Sequence, residues 1–403
     1  MNGEVVNSLK QLLEPHLAED FLASAWGQTY HYIRGRRGRF APLLPWEQLN
    51  DILRRHRLDF PRLRLMRDGK SLPASAYLRH VSGARRQTPI PRLQSVKFTQ
   101  QLRAGATLVL DAVDELYEPL EELAAGLEQF FHERIQINAY AGWHTSRGFD
   151  LHWDDHDVFI LQVTGRKRWS IYGMTRPHPL AGDGDLNPKP TGEPVWEATL
   201  EDGDFLYIPR GWWHVATPLD EPTLHLTVGI HNRTGIDLLQ WLTARLRASE
   251  IFRQDLPRFA SDAKRAAHLK RLEEALLAQW NEQLLTPYER ELDALAEPRA
   301  RLSLPWSATA QLLPPDDNGC FVRLTAPRPL DLQIADGVVE FACLKKRWRF
   351  SVAALSVLRP LADGGALSVA QLCEGARGRL EAQIVRALLG ELLQHGLIAV
   401  VKD

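Results

Sequence analysis

The chain has 403 residues, which predicts two or three domains and a core large enough to fold without disulfides. Its 49 Lys and Arg residues against 50 Asp and Glu residues leave a net charge of −1, and 44% of its residues are hydrophobic. These values exclude a disordered chain and a general polyanion binder. The first residues, MNGEVVNSLK, predict no signal peptide, and no apolar stretch is long enough to predict a membrane span.

The cysteine content bears on the cellular compartment. Cys320, Cys343 and Cys373 are the three cysteines of the chain, and they include no CxxC pair. Three such residues cannot build a disulfide framework, so a reducing environment fits best. We therefore predict a cytoplasmic protein that does not associate with membranes.

The first 130 residues are predicted to be mixed and mostly helical. Leu9 to Trp26 predicts two short helices divided at Pro15, because proline interrupts a helix. Two further helices are predicted from apolar residues at spacings of three and four, over Trp46 to Arg57 and Leu120 to Phe131.

From residue 133 the hydrophobic period changes from helical to two. Short segments with turn signals between them predict strands, and their sequences are ERIQINAY, DVFILQVTG, KRWSIYG, DFLYIPRG and LHLTVGIH. Several short strands without long helices between them favour an antiparallel barrel or sandwich. Pro177 to Pro194 is rich in proline and glycine and is predicted to be a long surface loop.

The remainder of the chain is predicted to form two further parts. After Asn232 the helical period returns, with apolar stripes over Gly235 to Trp280. The last hundred residues mix small strands with two helices, which predicts a winged-helix domain. We therefore divide the chain into 1–232, 233–299 and 300–403. The polar face of the last helix is acidic to neutral, so direct nucleic-acid binding is not expected.

Three residues around the predicted strands have the chemistry of a metal site. His152 and Asp154 stand at i and i+2, which puts both side chains on one face of an extended segment. His214 follows a strand and the turn at Pro209 to Gly211. Two histidines and one carboxylate form the facial triad that binds Fe(II) in oxygenases. Zinc accepts the same ligands, and unrelated surface residues are the other alternative.

The central motifs resemble those of a known family. NAY at 138–140, HWDDHDVFILQVTGRKRW at 152–169, GEPVWEATLEDGDFLYIPRGWWH at 192–214 and HLT at 225–227 resemble the JmjC-type cupin oxygenases, specifically the branch of ribosomal-protein hydroxylases. The resemblance implies an α+β fold with a double-stranded β-helix (the cupin or JmjC barrel), N-terminal helices, a helical dimerisation region and a C-terminal winged helix. It also implies a homodimer.

The resemblance assigns roles to individual residues. His152, Asp154 and His214 match the Fe(II) ligands, and Lys167 matches the cation that holds the distal carboxylate of 2-oxoglutarate. The polar side chains expected around that co-substrate are Asn138, Tyr140 and Thr227. A buried dicarboxylate needs such a cation and such donors, because its desolvation is otherwise uncompensated. If Lys167 and Trp169 face inward, alternation turns Arg166 and Arg168 outward.

The sequence departs from the family pattern near the first ligand. Leu151 stands where relatives usually carry proline, and the loop 142–149 carries Trp143 and His144 in place of an expected Thr-Pro pair. These positions are predicted to line the mouth, so they bear on substrate choice. His156, four residues after His152, is interpreted as a strand residue rather than a ligand. Trp212 and Trp213 are interpreted as core, with substrate stacking as the alternative.

The sequence and the resemblance together predict an enzyme. We expect an Fe(II)- and 2-oxoglutarate-dependent oxygenase that hydroxylates a side chain of a protein or peptide and releases succinate and CO2. The substrate would be a ribosomal protein or a ribosomally made precursor peptide, with demethylation a further alternative. Two alternatives come from other functional classes. One is a catalytically silent cupin and winged-helix scaffold that binds peptides, and the other is a zinc-dependent hydrolase.

Overall fold

The structure is a computed structural model that describes residues 6–81, 90–304, 313–314 and 317–401. The chain divides into two compact units, Met1–Asn232 and Arg233–Asp403. Each unit is described below by itself.

The N-terminal unit contains helices and strands in the following order along the described chain. The helices are α1 (Leu9–Leu13), α2 (Ala18–Ser24), α3 (Trp46–Arg55), α4 (Ser95–Arg103) and α5 (Glu118–Phe131). The strands are β1 (His31–Ile33), β2 (Leu63–Arg67), β3 (Lys70–Ser71), β4 (Leu78–Val81), β5 (Ile90–Leu93), β6 (Thr107–Leu110), β7 (Ile135–Gly142), β8 (Asp157–Thr164), β9 (Lys167–Gly173), β10 (Trp196–Leu200), β11 (Phe205–Ile208), β12 (Trp213–Pro218) and β13 (Thr223–Ile230).

Two antiparallel sheets of this unit face each other across an apolar interior. Within the described residues, the larger sheet has the strand order β1-β11-β8-β13-β7-β6-β2-β3, and the smaller has the order β10-β9-β12. Buried residues from both sheets form one cluster between them, and its members are Val158, Ile160, Trp169, Ile171, Leu200, Leu206 and Ile208. This is the predicted cupin barrel, with its wall closed by two sheets.

The opposite face of the larger sheet carries the main core. Side chains alternate between the two faces of a strand, so the neighbours of the interior residues point toward the helices. Those outward residues pack with α1, α3 and α5, and they include Ile135, Ile137, Phe159, Leu161, Tyr207, Leu226 and Val228. Polar residues at the intervening positions of β7 and β13 therefore face the barrel interior.

The helix and strand boundaries largely follow the sequence patterns. α5 has proline in its first turn and buries Leu120, Leu123 and Leu127, as its spacing predicts. The first 130 residues contain more strand than was expected, because β1 forms one edge of the larger sheet and β6, β2 and β3 extend its other side. In β2, Leu63 and Leu65 face the core, but Arg64 between them and Met66 after them obscure the alternation.

The C-terminal unit contains helices followed by small sheets. Its helices are α6 (Gly235–Leu246), α7 (Glu250–Arg253), α8 (Asp262–Leu277), α9 (Leu285–Leu295), α10 (Leu355–Ala362), α11 (Val369–Gly375) and α12 (Ala382–Gln394). Its strands are β14 (Phe321–Leu324), β15 (Gln333–Ala335), β16 (Val338–Cys343), β17 (Lys346–Ser351), β18 (Leu367–Ser368) and β19 (Ile398–Val401).

The last hundred residues share one core. The described strands pair as β18-β14-β19 and β15-β16-β17, and α10, α11 and α12 pack with them through Val322, Phe341, Leu358, Leu372 and Leu389. Gly396 has a φ of +72° just after α12, the conformation that favours glycine at a helix end. The winged-helix assignment of this region stays a prediction.

A buried carboxylate links three segments of the N-terminal unit. The Tyr207 hydroxyl donates to Asp157 Oδ1 at 2.6 Å and accepts a bond from the Gly27 backbone N–H at 2.7 Å. Asn232 donates to the other oxygen of Asp157. Burial raises the pKa of Asp157, although the hydrogen bonds from Tyr207 and its other partners oppose the rise.

Removal of the Tyr207 hydroxyl tests this network. We expect Tyr207→Phe to lower the free energy of unfolding by about 1–3 kcal/mol, because the buried carboxylate of Asp157 and the backbone N–H of Gly27 both lose a hydrogen bond. Urea denaturation measures the change. Tyr172→Phe, a control at a half-buried tyrosine of β9, should change it by less than about 0.5 kcal/mol. Equal effects of the two variants would contradict the structural role of the network.

Candidate active site

Two distant segments of the chain meet at the entrance of the barrel. The backbone N–H of His214 donates to the carbonyl of His152 at 2.8 Å, and the N–H of His152 donates back to the carbonyl of His214 at 3.1 Å. The N–H of Gly211 also donates to the carbonyl of Asp154 at 2.9 Å. These bonds fix the segment before β8 against the start of β12.

The three predicted ligands are brought together. Asp154 Oδ1 lies 3.9 Å from His152 Nε2, and Asp154 Oδ2 lies 3.6 Å from His214 Nε2. The two imidazole rings have centroids 4.4 Å apart. One ligand atom from each residue lies within 4.8 Å of the others, so the three could hold one metal ion.

The outer nitrogens of both imidazoles are fixed by backbone carbonyls. His152 Nδ1 lies 2.8 Å from the carbonyl of Asp150, and His214 Nδ1 lies 2.9 Å from the carbonyl of Trp212. A carbonyl only accepts, so each Nδ1 carries the proton and each Nε2 offers its lone pair. Burial, followed by the nearby charge of His152, lowers the pKa of His214 to about 4. That imidazole is therefore neutral at physiological pH, as a metal ligand must be.

The four residues predicted to surround a co-substrate all belong to the barrel interior. Asn138 and Tyr140 alternate with the outward residues of β7, and Thr227 stands opposite Asn138 on β13. Lys167 begins β9, and its side chain is 7% exposed. Arg166 instead pairs with Glu221 at the surface, and Arg168 is exposed. The inward direction predicted for Lys167 is thus observed.

Lys167 is a buried cation without an anionic partner. Its Nζ lies 5.7 Å from the centre of the Trp169 ring, and no carboxylate of the described chain forms an ion pair with it. Burial lowers the pKa of its amine to about 7. A buried charge is costly unless an opposite charge accompanies it, so the site favours an anion from outside the chain.

One residue of the barrel interior, His225, is not among the site residues that the sequence predicts. His225 is 3% exposed and stacks on Tyr140 with ring centroids 4.9 Å apart. Its Nδ1 is buried without a hydrogen-bond partner within the described chain. Burial and the charge of Lys167 hold the pKa of His225 well below its usual value. The signal was its position two residues before Thr227, which places both on one strand face.

The mouth loop 142–149 contacts the site through Phe149. Its ring lies 5.8 Å from that of His152 and 5.9 Å from that of Tyr140, so one aromatic side chain covers both predicted subsites. His144 pairs with Asp220 at 3.1 Å, and Trp143 packs against Trp46. Trp143 and His144, which differ from the family pattern, therefore attach the loop to other parts of the N-terminal unit and do not point at the predicted metal ligands.

The two neighbouring tryptophans belong to the core, as predicted. Trp213 is 5% exposed, and its Nε1 donates to Thr175 Oγ1 at 2.8 Å. Trp212 packs against the interior cluster next to Tyr30, with ring centroids 6.1 Å apart.

A second group of possible metal ligands lies beside the first. Asp155, His156 and His231 also bring one ligand atom each within 4.8 Å of the others. Burial opposes protonation of His156, but the hydrogen bond to Asp155 and the nearby carboxylates of Asp154 and Asp157 together raise its pKa.

The comparisons with known proteins agree with this geometry. Residues 113–238 match the JmjC domain family. Among curated relatives, the bifunctional lysine-specific demethylase and histidyl-hydroxylase NO66 of Drosophila pseudoobscura pseudoobscura is 29% identical over 240 residues, which are 56% of this chain and 23% of the relative. The NO66 protein of Drosophila willistoni is 26% identical over 317 residues, 73% of this chain and 39% of the relative. The chain thus spans well under half of these relatives.

Solved structures match nearly the whole chain. The ribosomal oxygenase YcfD of Escherichia coli superimposes with a TM-score of 0.59 at 19% identity and covers 96% of this chain and 98% of its own. A structure of YcfD in complex with cobalt and 2-oxoglutarate matches with a TM-score of 0.56 over 95% of this chain and 97% of its own, at 19% identity. Residues 113–238 therefore resemble a JmjC domain, and the chain shares the fold of the ribosomal oxygenase YcfD.

Proposed function

We propose that this protein is an Fe(II)- and 2-oxoglutarate-dependent oxygenase that hydroxylates a side chain of a protein or peptide. The observation that carries the proposal is the combination of two features in one barrel. His152, Asp154 and His214 converge at the entrance, and the unpaired cation of Lys167 lies in the interior behind them. A hydrolytic zinc site would need the first feature but not the second.

The donor set fits Fe(II). Two neutral imidazoles and one carboxylate occupy one side of the site, which is the facial arrangement of non-haem iron oxygenases. The carbonyls of Asp150 and Trp212 hold both rings with Nε2 directed toward Asp154. These backbone contacts set the orientation of the ligands before any metal binds.

The interior fits a dicarboxylate such as 2-oxoglutarate. Lys167 supplies the opposite charge, and Asn138, Tyr140 and Thr227 add polar groups on the same inner face. The buried Nδ1 of His225 supplies one more polar atom beside Lys167. An anion here would satisfy groups that the described chain leaves without a partner.

The residues of the chain would prepare the site for oxidation. Fe(II) with 2-oxoglutarate supplies the activation of O2 and the oxidant for a C–H bond, with succinate and CO2 as products. His152, Asp154 and His214 would hold the metal on one side and leave the other open. Phe149 and Trp169 would help to exclude water from the site, because the Phe149 ring lies beside His152 and the Trp169 ring beside His225.

The substrate class comes from the relatives. YcfD is a ribosomal oxygenase and NO66 is a histidyl-hydroxylase and lysine-specific demethylase. We therefore place a ribosomal protein first among substrates and a ribosomally made precursor peptide second. We also place the protein in the cytoplasm, because its three cysteines cannot build a disulfide framework. Among the described helices, none has the length and apolarity to cross a membrane.

A homodimer is part of the proposal. α6 and α8 leave large apolar side chains exposed, and these are Ile236, Leu239, Leu269 and Leu277. Exposed apolar side chains along a helix favour an interface in which a second copy of the chain buries them. A monomeric mass by light scattering at micromolar concentration would contradict the dimer.

Substitution of the ligands tests the metal site. We expect His214→Ala and Asp154→Ala to abolish the weak visible band that Fe(II) and 2-oxoglutarate give under anaerobic conditions. Succinate release after admission of O2 should fall by at least about a thousandfold, since the metal is needed for the oxidation. His178→Ala, at an exposed loop histidine, is the control and should retain both signals. Metal binding without a band or succinate in the unsubstituted protein would favour a zinc hydrolase or a silent scaffold.

The lowered pKa of Lys167 predicts how co-substrate affinity depends on pH. The charged amine binds the carboxylate, so above a pKa of about 7 the free protein loses the binding form. The Kd for 2-oxoglutarate should therefore rise by up to about tenfold per pH unit between pH 7 and 9. Anaerobic titration at several pH values measures it.

Two variants at Lys167 separate charge from shape. Lys167→Arg keeps its charge throughout this range and should flatten the pH dependence. Lys167→Met removes the charge and should weaken binding at every pH. A Kd that Lys167→Met leaves unchanged would remove Lys167 from the co-substrate site.

Mass spectrometry of reacted ribosomal proteins tests the substrate. We expect one protein to gain the mass of a single oxygen atom when Fe(II), 2-oxoglutarate and O2 are all present. The Asp154→Ala variant should leave the same protein unchanged. A loss of methyl groups with no gain of oxygen would indicate demethylation instead.

A further inference from the structure

Asp155, His156 and His231 form a compact group next to the proposed iron site but share no residue with it. His156 precedes the first residue of β8 and His231 follows the last residue of β13. The register pairs Asp157 with Ile230, so the two histidines stand opposite each other one step beyond the ladder. Neighbouring strands thus present two imidazoles at one end of the barrel.

The two rings face each other at close range. Their centroids are 4.4 Å apart and their planes are inclined by 32°. His156 lies over Gly229, since a Cβ at Gly229 would come within 2.9 Å of the His156 ring. A glycine at that position therefore leaves room for the imidazole to reach toward His231.

A carboxylate completes the group. Asp155 Oδ1 lies 3.0 Å from His156 Nδ1. Atoms bonded to one metal at about 2.0–2.2 Å are separated by about 3–3.5 Å, so this pair already has the spacing of two ligands. One ligand atom from each of the three residues, His231 included, lies within 4.8 Å of the other two.

The surrounding charge favours a cation. The carboxylates of Asp154, Asp155 and Asp157 all act electrostatically on His156. Two imidazoles and one carboxylate are the ligands that zinc and neighbouring divalent transition metals prefer. Asp155 and His231 are exposed, so an ion could enter from solvent.

We propose that Asp155, His156 and His231 bind a second divalent transition-metal ion, separate from the iron held by the triad. The second ion would join the ends of β8 and β13 next to the mouth of the barrel. It would take no part in holding Fe(II) or 2-oxoglutarate. Binding of the second ion is therefore independent of the proposed oxygenase function.

Metal stoichiometry tests the proposal. The metal-stripped full-length chain is dialysed against Co²⁺, which suits both sites, and bound cobalt is measured per chain. We expect two equivalents for the unsubstituted protein and for the His178→Ala control. His231→Ala and Asp155→Asn should each bind one, and both are at exposed positions that the fold tolerates. Asp154→Ala should also bind one, and Asp154→Ala with His231→Ala should bind none.

The outcomes separate the two sites. One equivalent in the unsubstituted protein that Asp154→Ala removes would overturn the second site and leave the triad intact. Two equivalents that persist in both His231→Ala and Asp155→Asn would place the second ion elsewhere and would also overturn it. Loss of one equivalent in Asp154→Ala alone concerns the triad, so failure of the proposed iron site would be seen separately.

Discussion

The reciprocal backbone hydrogen bonds between His152 and His214 are the constraint on which the site depends. They join two segments far apart in sequence, and they do so at the residues that carry the imidazoles. Because backbone atoms fix this pairing, the separation of the rings does not depend on side-chain freedom alone. Asp154 is held in the same way through its carbonyl and the N–H of Gly211. The triad is thus assembled by the barrel itself.

Burial on the far side of the larger sheet determines which polar side chains face the barrel interior. The outward residues of β7, β8 and β13 lie in the main core with the helices, whereas Asn138, Tyr140 and Thr227 face inward. A slip of one residue in the register would exchange these two sets and bury the polar groups among apolar ones. The apolar core therefore specifies which residues line the site.

The sequence predicted the features that depend on local spacing. Alternation of side chains along one extended segment predicted two features. His152 and Asp154, at i and i+2, share one face, and Lys167 points inward. The meeting of His156 with His231 depends instead on the register between β8 and β13, which one strand alone cannot reveal. For the same reason the sequence did not predict β2. This short strand contains arginines, and it is stabilised by its pairing with β6.

The burial of Lys167 has a consequence for selectivity within the proposed oxygenase. Folding already removes water from its amine. Part of the desolvation free energy that an ion pair at this position requires is therefore spent before any ligand binds. In the proposed oxygenase a dicarboxylate would bind the metal through one end and would pair with the protonated amine of Lys167 through the other. A monocarboxylate of similar length would leave that amine without an anion, and it would gain only the metal contact. In the proposed oxygenase the barrel would therefore discriminate by the second carboxylate rather than by the shape of its interior.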